Sequence, residues 1–257
     1  MAEGKIHSCC LKGFKWDGTP TGRTEKLGSN DVYVAGTNTE VGVLLVHDLY
    51  GWTFGNLRLL ADQVAREANV TVYMPDLFGG EVLSSDLISA GRFQELDLDS
   101  FISRNGREAR EPELFACARA LRTDRGHSRV GMFGYCYGGW AGLRLGAEEH
   151  KAAPLVDCIS FGHPSLVTKK DFDEVAVPVQ ILAPERDPAF TPEMKLYAFE
   201  TIMKKGVQFD YLHLPGVEHG CLIRGKQDEP GEREAMVLGK NAVVAWLVAH
   251  LHKAADA

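Results

Sequence analysis

Two rhythms of apolar and polar positions alternate along this chain. Val41-Gly42-Val43-Leu44-Leu45-Val46-His47 is an almost unbroken apolar run, the pattern of a strand buried on both faces of a parallel sheet. A second such run covers residues 70–75. Between them, Leu57, Leu60, Ala61, Val64, Ala65 and Ala68 recur at helical spacing, which predicts a helix over 56–68. The same reading predicts an edge strand at 31–35 and further strands at 130–133, 155–161, 179–183 and 209–214. Helices are expected at 111–123, 137–147, 192–205 and 232–252.

Strands that alternate with helices imply right-handed crossovers and an α/β fold, with a mainly parallel central sheet and helices on both faces. Ligands of such sheets sit beyond the carboxyl ends of the strands, so the loops after each strand are where chemistry belongs. No repeat or linker-like shift in composition divides the chain, and residues 1–257 read as one domain. Residues 1–28 read as an irregular N-terminal arm. Residues 79–106 read as an irregular insertion, a cap over the cleft or a dimer surface.

Composition narrows the partners. The formal charge of −7 over 257 residues argues against nucleic acid or an anionic membrane as partner. No secretory signal is evident, and no window approaches 18 unbroken apolar residues, so a cytoplasmic protein is expected. The six cysteines, Cys9, Cys10, Cys117, Cys136, Cys158 and Cys221, are scattered as reduced thiols are, without a disulfide framework. Cys9-Cys10 lacks a C-x-x-C partner, and neither a metal nor a cofactor is expected.

The densest information lies in Gly134-Tyr135-Cys136-Tyr137-Gly138-Gly139. It follows an apolar strand and precedes a helical stretch, the layout of a nucleophile elbow with cysteine at its tip. Glycines two before and two after are required because side chains there would collide with the adjoining strand and helix. Taken alone, the motif is equally a buried cysteine in a glycine-rich turn. Two later strand ends change the balance. Asp187 follows the strand 179–183, and His219 follows the strand 209–214, giving the chain order nucleophile, acid, histidine. In that arrangement His219 takes the Cys136 proton, and Asp187 holds the imidazole tautomer and stabilises its cation. An oxyanion hole would combine the Tyr137 amide with that of Leu49, in the loop after the strand 41–47. Asp48 in that loop reads either as an acceptor for the resting thiol or as a plain helix-capping or loop carboxylate.

His47-Asp48-Leu49-Tyr50-Gly51, Met74-Pro75-Asp76-Leu77-Phe78, the Cys136 elbow, Asp187-Pro188 and His219-Gly220 together resemble the dienelactone hydrolase family, over essentially the whole chain. The fungal and carboxymethylenebutenolidase-like branch is the most similar, and Cys9-Cys10-Leu11-Lys12-Gly13 also resembles fungal members. The resemblance implies an α/β-hydrolase fold and a Cys136–Asp187–His219 triad. It implies thiol-dependent cleavage of a small to medium-sized lactone or ester through an acyl-thioenzyme, in fungal aromatic catabolism or secondary metabolism. It also implies a substrate carboxylate held by arginine. Arg224 is similar to one such residue, one position beyond the bacterial spacing, and Arg104 and Arg92 are candidates for the second. The bacterial enzymes have a glutamate where this chain has Asp48. Trp52, Phe54, Tyr137, Trp140, Phe161 and His163 are candidates for the pocket wall, each equally readable as core packing.

A different class stays open. An accessible, easily ionised thiol also suits a redox sensor or a ligand-binding protein that kept the fold, with Cys221 as resolving partner of Cys136. A biosynthetic enzyme with non-hydrolytic chemistry is a closer variant. Monomer and homodimer are equally compatible with the sequence.

Overall fold

The computed structural model describes residues 16–252 apart from 85–86, 88–91, 93–94 and 227. The apolar runs are strands of one eight-stranded sheet. In chain order the strands are β1 (Arg23–Leu27), β2 (Asn30–Ala35), β3 (Val41–Val46), β4 (Thr71–Pro75), β5 (Arg129–Tyr135), β6 (Cys158–Gly162), β7 (Val179–Arg186) and β8 (Phe209–Glu218). Across the sheet they lie in the order β1-β2-β4-β3-β5-β6-β7-β8. β1, β2 and β4 pair antiparallel, and every pair from β4 to β8 is parallel. β3 is buried at every position, as its continuous apolar run requires.

The helices are α1 (Gly55–Ala68), α2 (Leu98–Asn105), α3 (Arg107–Thr123), α4 (Gly138–Leu145), α5 (Lys169–Asp173), α6 (Pro192–Met203), α7 (Cys221–Arg224) and α8 (Pro230–Leu251). α8 is the one described helix long and apolar enough to span a membrane. Here its Gly239, Val243, Leu247 and Leu251 are buried, and Leu247 and Leu251 press against Gly131 of β5.

Four expectations need correction. The strand expected at the edge, 31–35, lies inside the sheet as β2, paired with β1 on one side and β4 on the other. The arm 1–28 is not irregular throughout, because Arg23–Leu27 forms β1. This strand pairs with β2 on one side only and is mostly exposed, so it carries charges instead of an apolar run. Residues 1–15, with Cys9 and Cys10, lie outside the described residues. The insertion 79–106 is partly helical: α2 is capped by the Asp97 side chain, which accepts from the Ser100 amide. α3 begins four residues earlier than expected and runs through Pro112. Proline removes one helical hydrogen bond from the carbonyl four residues back, and that carbonyl belongs to exposed Glu108.

Candidate active site

β5 delivers Cys136 to the point where strand gives way to α4. Its φ is 52°, a left-handed conformation that costs a residue with a β-carbon roughly 1–2 kcal/mol. The flanking glycines make that turn possible. A β-carbon on Gly138 would lie 2.5 Å from the Val46 carbonyl oxygen, and one on Gly139 would lie 2.2 Å from Pro164 Cβ. The Cys136 backbone is pinned to the loop after β6. Its N–H donates to the Gly162 carbonyl at 3.1 Å, and its carbonyl accepts from Gly139 and Ser165 at 2.9 and 2.8 Å. The sulfur itself lies 3.4 Å from Ser165 Oγ.

β7 and β8, neighbours in the sheet, end at the second half of the constellation. His219 Nδ1 lies 2.9 Å from Asp187 Oδ1, and both side chains are wholly shielded from solvent. Asp187 Oδ1 is also held by the amides of Ala189 at 2.9 Å and Phe190 at 3.0 Å. An ionised carboxylate only accepts, so Nδ1 carries the proton and Nε2 is left basic. The ring of buried His163 bridges the two halves. It follows β6, packs on Tyr135 with centroids 5.6 Å apart, and meets the His219 ring at 4.8 Å.

The loop after β3 supplies the other wall. Val46 pairs with Gly134 in register, so Leu49 and Tyr137, each three residues further on, leave adjacent strand ends at the same level. Leu49 is buried. Asp48 Oδ1 accepts from the Tyr50 amide at 2.9 Å, and its Oδ2 lies 3.2 Å from Arg224 Nε. The Arg224 guanidinium also stacks over the Tyr50 ring at 5.2 Å. Burial pushes the Tyr50 phenol up to about 12, with the positive charge of Arg224 opposing the rise. Arg224 is therefore already charge-paired by Asp48, and Asp48 is a buried ion-pair partner. It does not cap α1, whose N-cap is Phe54.

Other expected site residues fall elsewhere. Arg104 is half exposed and paired with Glu81. Arg92 is exposed and paired with Glu95. Neither joins the Cys136 cluster through a described contact, because each has a carboxylate partner at the surface. Trp52 packs against Arg58, which donates to its carbonyl at 3.0 Å. Trp140 is fully buried, edge-on to Tyr137 with Arg107 over its ring, in the position of a core residue. Phe54 and Phe161 are likewise buried. Cys221 is buried, and desolvation pushes its thiol well up, the reverse of what a resolving thiol needs.

A cleft of about 690 Å³ opens beside His219, walled by Cys221, Arg224, Arg186, Glu218, Lys226 and Glu232 among others. Cys136 does not line it and has no solvent exposure, so a substrate reaches the sulfur only when the side chains over it shift. Ser165 escaped sequence reasoning. The rule that chemistry follows strand ends pointed to its loop through His163, but a serine between Pro164 and Leu166 carries no motif.

Comparison with known proteins agrees with this architecture. Residues 31–251 match the dienelactone hydrolase family. The chain is 28% identical to the hydrolase tropI of Talaromyces stipitatus, covering 96% of this chain and 97% of that protein. It is 24% identical to the mouse carboxymethylenebutenolidase homolog, over 93% and 95% of the two chains. Among solved structures, a putative dienelactone hydrolase from Klebsiella pneumoniae superposes with a TM-score of 0.69 at 16% identity, covering 88% of this chain and 98% of that one.

Proposed function

Because this chain belongs to the dienelactone hydrolase family and is a hydrolase of ester or lactone bonds, we propose that Cys136 is its nucleophile, served by His219 and Asp187. The carrying observation is the buried Asp187–His219 hydrogen bond of 2.9 Å on strands that follow the one presenting Cys136 at an elbow. In this reading His219 Nε2 takes the thiol proton, and the sulfur attacks the carbonyl carbon. The charge that develops on the carbonyl oxygen is met by the amides of Tyr137 and Leu49. The tetrahedral intermediate collapses to a thioester, and the leaving alkoxide takes the proton back from His219. Water, deprotonated by the same imidazole, then releases the acid and restores the thiol. Asp187 holds the Nδ1–H tautomer and stabilises the imidazolium formed in each half-reaction.

The substrate in this reading is a small to medium-sized lactone or ester. The likeness to a fungal hydrolase supports a place in fungal aromatic or secondary metabolism. Among the described residues no cysteine is in a disulfide, which supports a reducing, cytoplasmic setting. Hydrolysis of p-nitrophenyl acetate should be blocked by iodoacetamide and lost in both Cys136→Ala and His219→Ala. Undiminished turnover in Cys136→Ala would overturn the proposal.

A further inference from the structure

Four described non-glycine residues have positive φ, and one of them, Asn69, ends α1. The other three crowd a single contact. Cys136 (52°), His163 (36°) and Leu166 (59°) lie around the hydrogen bonds that join Ser165 to Cys136. Such conformations persist only where the surroundings over-determine them, and the surroundings do so here. The His163 amide donates to the Leu182 carbonyl at 3.0 Å. Pro164 fills the space a side chain on Gly139 would need. Arg107 donates to the Leu166 carbonyl at 2.6 Å and forks onto Asp171 at 2.6 and 2.8 Å. Ser165 is thus tied to Cys136 twice, through its backbone amide at 2.8 Å and its hydroxyl at 3.4 Å.

We propose that Ser165 is a positioning residue for Cys136, its hydroxyl donating to the sulfur and holding the side chain in one rotamer through the reaction. A neutral thiol can donate or accept in this contact, but a thiolate can only accept. As the proton leaves for His219, the hydroxyl must donate, and the bond gains strength because its acceptor is charged. The bond weakens again when the sulfur becomes a thioester. The strained loop then has a purpose, since it brings a hydroxyl to the sulfur from the β6 side. The proposal rests on Cys136 as nucleophile.

The test is the pH profile of Cys136 alkylation by iodoacetamide in the full chain, read on the Cys136 peptide by mass spectrometry. Ser165→Ala should move the midpoint up by about one pH unit, roughly a tenfold slower reaction below the midpoint. Ser165→Thr should restore most of that loss, and ester turnover should fall in kcat with KM held. If the alanine variant unfolds, Ser165→Thr and Ser165→Val, alike in shape and different in the hydroxyl, make the same comparison. Alkylation profiles that coincide in Ser165→Ala and the parent, or in the Thr and Val variants, would overturn the proposal. An alkylation shift in a chain that hydrolyses no ester would instead overturn the nucleophile reading and leave the Ser165 contact standing.

Discussion

Arg224 of α7 and Asp48 of the loop after β3 form an ion pair of 3.2 Å with both side chains at most 1% exposed. Two charges removed from water are tolerable only together. Taking away one partner leaves the other uncompensated, which typically costs about 3–5 kcal/mol. Asp48→Leu and Arg224→Met should each lower the unfolding free energy by about that much. The double variant should recover a large part of the loss. Urea unfolding of the three variants checks this, and additive losses would show that the two residues do not act as a pair.

In the proposed mechanism Asp187 works through a tautomer, so a near-isosteric amide should cost more in turnover than in stability. In Asp187→Asn the amide nitrogen can present a donor to His219 Nδ1 and move the imidazole proton to Nε2. The expected result is a fall in kcat on the order of 10³–10⁴ with KM little changed. The Ala189 and Phe190 amides donate to the same Oδ1, at 2.9 and 3.0 Å, so a nitrogen that meets the ring takes their acceptor away, at a cost of about 1–3 kcal/mol. Thermal melting should therefore fall as well, by less in free energy than the loss of turnover.

Gly139 presses on Pro164, where an added β-carbon would meet Pro164 Cβ at 2.2 Å. Gly139→Ala must push away the loop that carries both His163 and Ser165. An overpacked site of this kind costs about 1–3 kcal/mol. The substitution should lower stability by that amount in denaturant melts and reduce ester turnover as well. An active, fully stable alanine variant would show that the loop position is not tightly set.

His47 predicts acid sensitivity. Its Nδ1 lies 2.9 Å from the Asp48 carbonyl and its Nε2 accepts from the Leu77 amide at 3.2 Å, an arrangement only the neutral ring can satisfy. Burial drives its pKa down from 6.5 to about 4. Above about pH 6.5 both folded and unfolded states are neutral here, and the full stability is present. As pH falls from 6.5 toward 4 the unfolded chain binds a proton that the folded chain refuses. Stability should drop by up to about 3 kcal/mol over that window. His47→Gln should flatten this part of the profile in melts between pH 4 and 7.

Much of the fold was legible because burial on both faces leaves a signature in composition. β3 and β4 are apolar at nearly every position, and α1 buries Leu57, Leu60, Ala61, Val64, Ala65 and Ala68, the same residues its spacing marks. β1 left no such signature, since an edge strand that faces water on one side can be built from Arg23, Thr24, Glu25 and Lys26. α3 starts at Arg107, four residues before the expected 111, because the helix gives up one hydrogen bond at exposed Glu108 and continues through Pro112.

For the site, local sequence was enough to place Cys136, Asp187 and His219 on strand ends. Glycine spacing and chain order are properties of the backbone, and they survive in one dimension. Partnership is not. Arg224, Arg104 and Arg92 are indistinguishable as letters. Only packing buries the first against Asp48 and leaves the other two on the surface with Glu81 and Glu95. Trp140 belongs to the core and Ser165 reaches the sulfur for the same reason. Which side chains meet depends on how strands far apart in the chain are brought into register, and on which charges that packing removes from water.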